Sequence, residues 1–215
     1  MKQLSGQARL LASGLSAVAG FVDAVGFLLT GGFFVSFMSG NSTRLAVGLA
    51  EGAGYAGLAL ALIAAFVAGV STGAFLGRKA GARRGPAVLA FVGLALALAA
   101  VLAALAPLPA AILVLAFAMG AENTVFAQDG EVRLGLTYMT GALVKLGKAI
   151  TAALMGGDRF GWAPHLLLWL GLVAGAALGA LAFHRLGPAA LWIAAAATGL
   201  LALAAARLDL APATA

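Results

Sequence analysis

The chain contains no cysteine, which excludes disulfide bridges, zinc–thiolate sites and thiol nucleophiles. It is also poor in charge. Its 13 Lys+Arg and 7 Asp+Glu amount to 9% of 215 residues, where a soluble globular protein carries roughly 25%. So few charges cannot cover a water-facing surface. A soluble enzyme, a disordered tail and a nucleic-acid-binding domain are thereby excluded, and no nucleic-acid partner is expected. No HExxH or P-loop pattern is present, and Gly69-Val70-Ser71-Thr72-Gly73 matches GxSxG only inside an apolar run, with no strand before it to form a nucleophile elbow. No enzyme activity, catalytic residue, cofactor or metal is therefore expected, and any pumping would have to draw on an ion gradient. Gly52-Ala53-Gly54-Tyr55-Ala56-Gly57 matches a dinucleotide-binding pattern, but no strand precedes it, and it reads as a loop. His165 and His184 sit near the ends of apolar runs without carboxylate neighbours and read as interfacial residues.

What the chain has in abundance is apolar sequence, 63% of all residues. A helix needs about 20 apolar residues to cross a ~30 Å hydrocarbon core. Six stretches qualify: Leu10–Leu29, Gly57–Leu76, Ala87–Ala106, Ala110–Phe126, Leu166–Phe183 and Ala189–Ala206. Two more, Phe33–Ala50 and Leu136–Met155, carry polar and charged residues near their middles. Connections are short and rich in Gly and Pro. The fold class is therefore an all-α, polytopic helical membrane protein, a single integral membrane domain over residues 1–215 with the lipid bilayer as its main partner. The basic start and Ala17-Val18-Ala19 fit a signal peptide in part, but the apolar run continues to Leu29, and a retained first span is expected.

An internal duplication organises the chain, with repeat 1 at about 9–106 and repeat 2 at about 109–207. Gly20-Phe21-Val22-Asp23 aligns with Gly120-Ala121-Glu122-Asn123. Phe37-Met38-Ser39-Gly40 aligns with Tyr138-Met139-Thr140-Gly141, and Arg44-Leu45 with Lys145-Leu146. The glycine ladders Gly69/Gly73/Gly77 and Gly171/Gly175/Gly179 match at an offset of 102. Small-xxx-small ladders let helices approach closely; they could pack the repeats together or form a homodimer contact. If the two polar stretches are broken or re-entrant and the N-terminus is inside, Lys2, Arg9, Arg78, Lys79, Arg83, Arg84, Arg133, Arg159 and Arg207 all fall on the cytoplasmic side. Three crossings per repeat would then invert one half relative to the other.

Intramembrane polar residues are the candidate site. A lipid-facing helix would not carry Ser39-Gly40-Asn41-Ser42-Thr43-Arg44 at mid-depth, since a central Arg costs ~2.5–3.5 kcal/mol. Ser39 is placed to cap a half-helix, and Thr140 to cap its repeat mate; two such starts would offer dipole ends to an anionic or polar solute. Asp23 lies on one helical face with Ser13, Ser16, Gly20 and Thr30. Asp23–Arg44 and Glu122–Lys145 are candidate ion pairs, with Asn123 beside Glu122 and Lys148 a turn beyond Lys145. The expected solute-binding set is thus Asp23, Ser39, Asn41, Arg44, Glu122, Asn123, Thr140, Lys145 and Lys148. The same residues could instead be clasps that only hold helices together. A secondary transporter or permease is the leading reading; a passive channel and a non-transporting scaffold are the others.

Gly20-Phe21-Val22-Asp23-Ala24, the run from Gly31 to Asn41, and Tyr138-Met139-Thr140-Gly141 resemble the YoaK family of uncharacterised bacterial membrane proteins. The resemblance covers most of the chain. It implies an inner-membrane location, a compact multi-helix fold and a role as a small-molecule permease. Two departures stand out: Ser39 where that family more often has Thr, and Glu122-Asn123 where it more often has Gln-Asn.

Overall fold

Apolar runs broken by glycine and proline fold here as eight α-helices among the described residues. The computed structural model describes residues 6–105, 108–128, 131–132 and 137–207. Lys2, Ala106, Pro107, Arg133 and Leu136, which entered the reading of spans and orientation, lie outside them. The helices are α1 (Gly6–Thr30), α2 (Met38–Glu51), α3 (Ala56–Ala80), α4 (Arg84–Leu105), α5 (Leu108–Glu122), α6 (Met139–Leu154), α7 (Ala163–Leu186) and α8 (Leu191–Arg207). A two-residue antiparallel pairing, β1 (Ala127–Gln128) with β2 (Glu131–Val132), follows α5. The protein is a polytopic helical membrane protein. Among the described residues, three apolar helical stretches are long enough to cross a bilayer, Gly6–Thr30, Ala56–Leu105 and Ala163–Arg207, and the second and third each contain two α-helices.

The distribution of polarity is the reverse of a soluble protein's. Leu94, Leu105 and Leu200 are exposed at 72%, 81% and 68%, while Ser16, Asn41, Glu122, Asn123, Thr124 and Thr198 are buried. Lipid solvates the leucines; the polar groups have to find partners inside. The core runs along α1, α4, α5 and α8, with Leu15, Val22, Leu89, Leu96, Leu115, Met119 and Leu191 fully buried.

Helix pairing is crosswise. α1 lies mainly along α7, α3 along α5, and α4 along α8; α4 also packs on α5, α1 on α8, and α1 on α5. Glycines permit the closest of these approaches. A side chain at Gly175 would run into the Ala17 backbone, and one at Gly179 into Phe21. A side chain at Gly69 would meet the Phe117 backbone, and one at Gly73 would meet Ala121. Where backbones touch, dispersion replaces the hydrophobic effect that lipid does not supply. Ser16 adds a buried bond across the first pair, donating to the Leu168 carbonyl at 2.9 Å.

Three expected boundaries shift. The stretch Phe33–Ala50 is helical only from Met38, and the N-cap position is Phe37, not Ser39; α6 likewise starts at Met139 with Tyr138 as N-cap, not Thr140. The cause in the first half is Gly31-Gly32. Gly31 has φ +66° and Gly32 donates to the Phe27 carbonyl at 2.9 Å, which closes α1 in a Schellman motif. Helical geometry resumes six residues later. α5 ends at Glu122 instead of Phe126, because Thr124 and Val125 donate to carbonyls three residues back and tighten the chain into turns.

Candidate functional site

A seven-residue break, Gly31–Phe37, separates α1 from α2. Within a membrane body its free amides need partners. The Phe33 amide donates to Thr30 Oγ1 at 2.8 Å, and the Phe34 amide to Asn41 Oδ1 at 3.1 Å. The Val35 and Ser36 amides both donate to Asp23 Oδ1 at 2.8 Å. Four successive amides are thus held by side chains of the flanking helices. The carbonyls are treated alike: Asn41 Nδ2 donates to the Phe34 carbonyl at 2.6 Å, and the Arg44 guanidinium donates to that of Gly32. Arg44 also stacks over the Phe33 ring, 4.2 Å from its centroid. At the far end of α2, outside the apolar body, Glu51 accepts from the Tyr55 hydroxyl at 3.0 Å and pushes the phenol above its usual range.

A second break follows α5. Asn123 Nδ2 donates to the Met119 carbonyl at 2.9 Å, and Asn123 Oδ1 accepts from the Thr137 amide at 3.4 Å. The Thr137 and Asn123 side chains are also in contact at 3.1 Å. Asn123 therefore does for the approach to α6 what Asp23 does for the approach to α2. Asp23 projects from α1 and Asn123 stands one residue past the end of α5, and these two helices pack against each other.

The nine expected site residues separate into three groups. Asp23, Asn41 and Arg44 converge on the first break. Glu122 and Asn123 are buried at the end of α5. Ser39, Thr140, Lys145 and Lys148 stand exposed on α2 and α6. α2 packs on α3 and α6 on α7; neither lies along the other. Among the described residues Asp23 and Arg44 form no ion pair, because each is engaged by backbone of the segment between them. Glu122 has no Lys145 partner either: both its oxygens are buried without a hydrogen bond, while Lys145 is exposed. The face bearing Ser13, Ser16, Gly20, Asp23 and Thr30 does turn toward protein. Thr30 and Thr137 are the positions that sequence reasoning left out of the site. Thr137 was within reach, since the offset that pairs Phe37 with Tyr138 pairs Ser36 with Thr137.

A family model described as "Protein of unknown function (DUF1275)" matches residues 11–204. The chain belongs to this family. It is 38% identical over 196 residues to the UPF0700 transmembrane protein RA0705 of Rhizobium meliloti (strain 1021), covering 91% of this chain and 84% of that one. No solved structure matches.

Proposed function

We propose that this DUF1275 protein is a secondary transporter or permease for a small polar or anionic solute, with its pathway where the two breaks adjoin the α1/α5 contact. The observation that carries this reading is the pair of helix breaks, each braced by a polar side chain, Asp23 of α1 in one half and Asn123 just past the end of α5 in the other. Irregular backbone at membrane depth is tolerated where protein surrounds it or where it lines a cavity, and discontinuous helices are the usual site-builders of secondary transporters.

The packing supports a duplicated, inverted architecture. Exchanging α1–α4 with α5–α8 maps the α1·α7 pair onto α5·α3, α4·α5 onto α8·α1, and α2·α3 onto α6·α7. The close contacts agree in register. Gly175 meets Ala17 and Gly69 meets Phe117; Gly179 meets Phe21 and Gly73 meets Ala121. On this reading Gly69 corresponds to Gly175, one turn beyond the Gly171 that the ladder alignment selects. The ladders face helices of the same chain, so their burial needs no second copy. We further propose six full crossings with α2 and α6 short of the full depth, a bacterial inner-membrane location and a cytoplasmic N-terminus.

One observation favours the scaffold alternative. The polar atoms of Asp23, Asn41 and Arg44 described above are already spent on backbone groups. A thermal-shift screen of polar metabolites on the purified protein separates the two. A transporter is expected to show stabilisation by one chemical class and uptake of that hit into proteoliposomes; a scaffold shows neither.

A further inference from the structure

We infer that Glu122 is a proton-binding site inside the helix bundle, loading and releasing a proton as the end of α5 moves between sealed and opened states. As a coupling site it rests on the transport reading; as a proton site it does not.

Glu122 is fully buried, and both carboxyl oxygens lack a hydrogen-bond partner among the described residues. α5 packs on α1, α3 and α4. The charged residues those helices carry are Arg9 and Asp23 on α1, Arg78 and Lys79 on α3, and Arg84 on α4. Asp23 is turned to the Val35 and Ser36 amides. Lys79 lies over the Phe75 ring. The Arg84 side chain lies against Gly77, a full turn along α3 from Gly73, which faces Ala121 and Thr124. No cation among the described residues compensates Glu122.

An isolated carboxylate in a low-dielectric interior is strongly disfavoured, so its charge has to be neutralised where it sits. A metal cation would need several oxygen ligands. Among the described residues no second carboxylate or histidine joins Glu122 in a cluster that could hold one, and the Asn123 side-chain oxygen faces Thr137. A proton needs one oxygen. Loading forms an O–H bond on one carboxyl oxygen with a proton taken from water, leaving a neutral acid; release returns that proton to water, and nothing else is consumed.

The fold does not need an acid here. The position matching Glu122 in the first half is Val22, also fully buried. The location suits exchange, because Glu122 is the last residue of α5 and the turns of 123–126 begin immediately after it. A small displacement of those turns opens the carboxyl to water without unpacking the helix.

Infrared difference spectroscopy on the full-length protein in lipid nanodiscs tests this directly. Spectra of the wild type minus Glu122→Gln are compared in buffers from about pH 4 to about pH 10. The expected result is a protonated-acid C=O band that vanishes reversibly into carboxylate bands as pH rises, and that shifts in D2O. Carboxylate bands alone across the range, or an acid band that neither titrates nor shifts in D2O, overturn the inference. Gln fits the same space, so Glu122→Gln is expected to assemble. Should it not, Glu122→Asp, which retains an acid at altered reach, replaces it, and the band is expected to move in frequency; an unmoved band overturns the assignment. Solute uptake is read in parallel proteoliposomes. Absent uptake with an intact titrating band removes the transport reading and leaves the proton site standing. Uptake that stays equally driven by a pH gradient in Glu122→Gln overturns the coupling role.

Discussion

Asp23 binds two amides with one oxygen, and that geometry separates its charge from its acceptor function. Asn123 performs the matching task with a neutral amide oxygen. Asp23→Asn is therefore expected to keep the break closed and the fold intact. Asp23→Ala leaves the Val35 and Ser36 amides, both in buried residues, without partners, at a cost of about 1–3 kcal/mol each. Thermal unfolding in detergent checks the pair: the Asn variant should melt near the wild type and the Ala variant well below it. Equal stability of Asn and Ala variants would mean that water or backbone relaxation satisfies those amides. If transport uses the charge, Asp23→Asn is also expected to lose uptake while remaining folded. At this scale the sequence was only partly legible. Polar residues at membrane depth marked Asp23, Asn41 and Arg44 as important. Their partners were not deducible, because complementary charge suggests ion pairs whereas freed backbone amides compete for the same carboxylate. Ser39 shows the same limit: its residue type suits an N-cap, but the preceding irregular segment decides where helical geometry begins.

Among the helices, glycine spacing determines which surfaces touch. Ala17 and Phe117 are the backbone neighbours of Gly175 and Gly69. A methyl at either glycine meets backbone, which cannot rotate away, so Gly175→Ala and Gly69→Ala should each destabilise by about 1–3 kcal/mol. Gly147→Ala, inside α6 with open space around its added carbon, serves as the clash-free control and should stabilise slightly, by about 0.5–1 kcal/mol. Urea or thermal denaturation in detergent measures the three together. Neutral effects at Gly69 and Gly175 would contradict backbone contact at these crossings. Helix existence and approximate extent were readable from apolar runs alone: Gly57–Leu76 lies within α3, and Leu166–Phe183 within α7. Pairing was not. A ladder repeats every four residues, so the sequence alone does not say which glycine meets which backbone.

The whole molecule interlocks two halves so that neither buries its helix faces alone. α1 depends on α7 and α3 on α5, which accounts for a chain whose polar residues can be held inside while leucines face lipid. Membrane class followed from composition because charge scarcity leaves no alternative solvent. Sidedness rests on the basic loops and is testable without background, since the chain has no cysteine. A thiol introduced by Ala82→Cys, in the exposed turn between α3 and α4, should react with an impermeant maleimide only after the cells are opened. One introduced by Gly54→Cys, between α2 and α3, should react in intact cells. The reverse pattern would invert the proposed orientation.

Solute movement is the most direct test. Proteoliposomes are incubated with a mixed pool of polar and anionic metabolites and their contents read by mass spectrometry against empty liposomes. A transporter built on the two braced breaks should accumulate at least one solute class with wild-type protein above its level in empty liposomes. Contents indistinguishable from empty liposomes across the pool would contradict it.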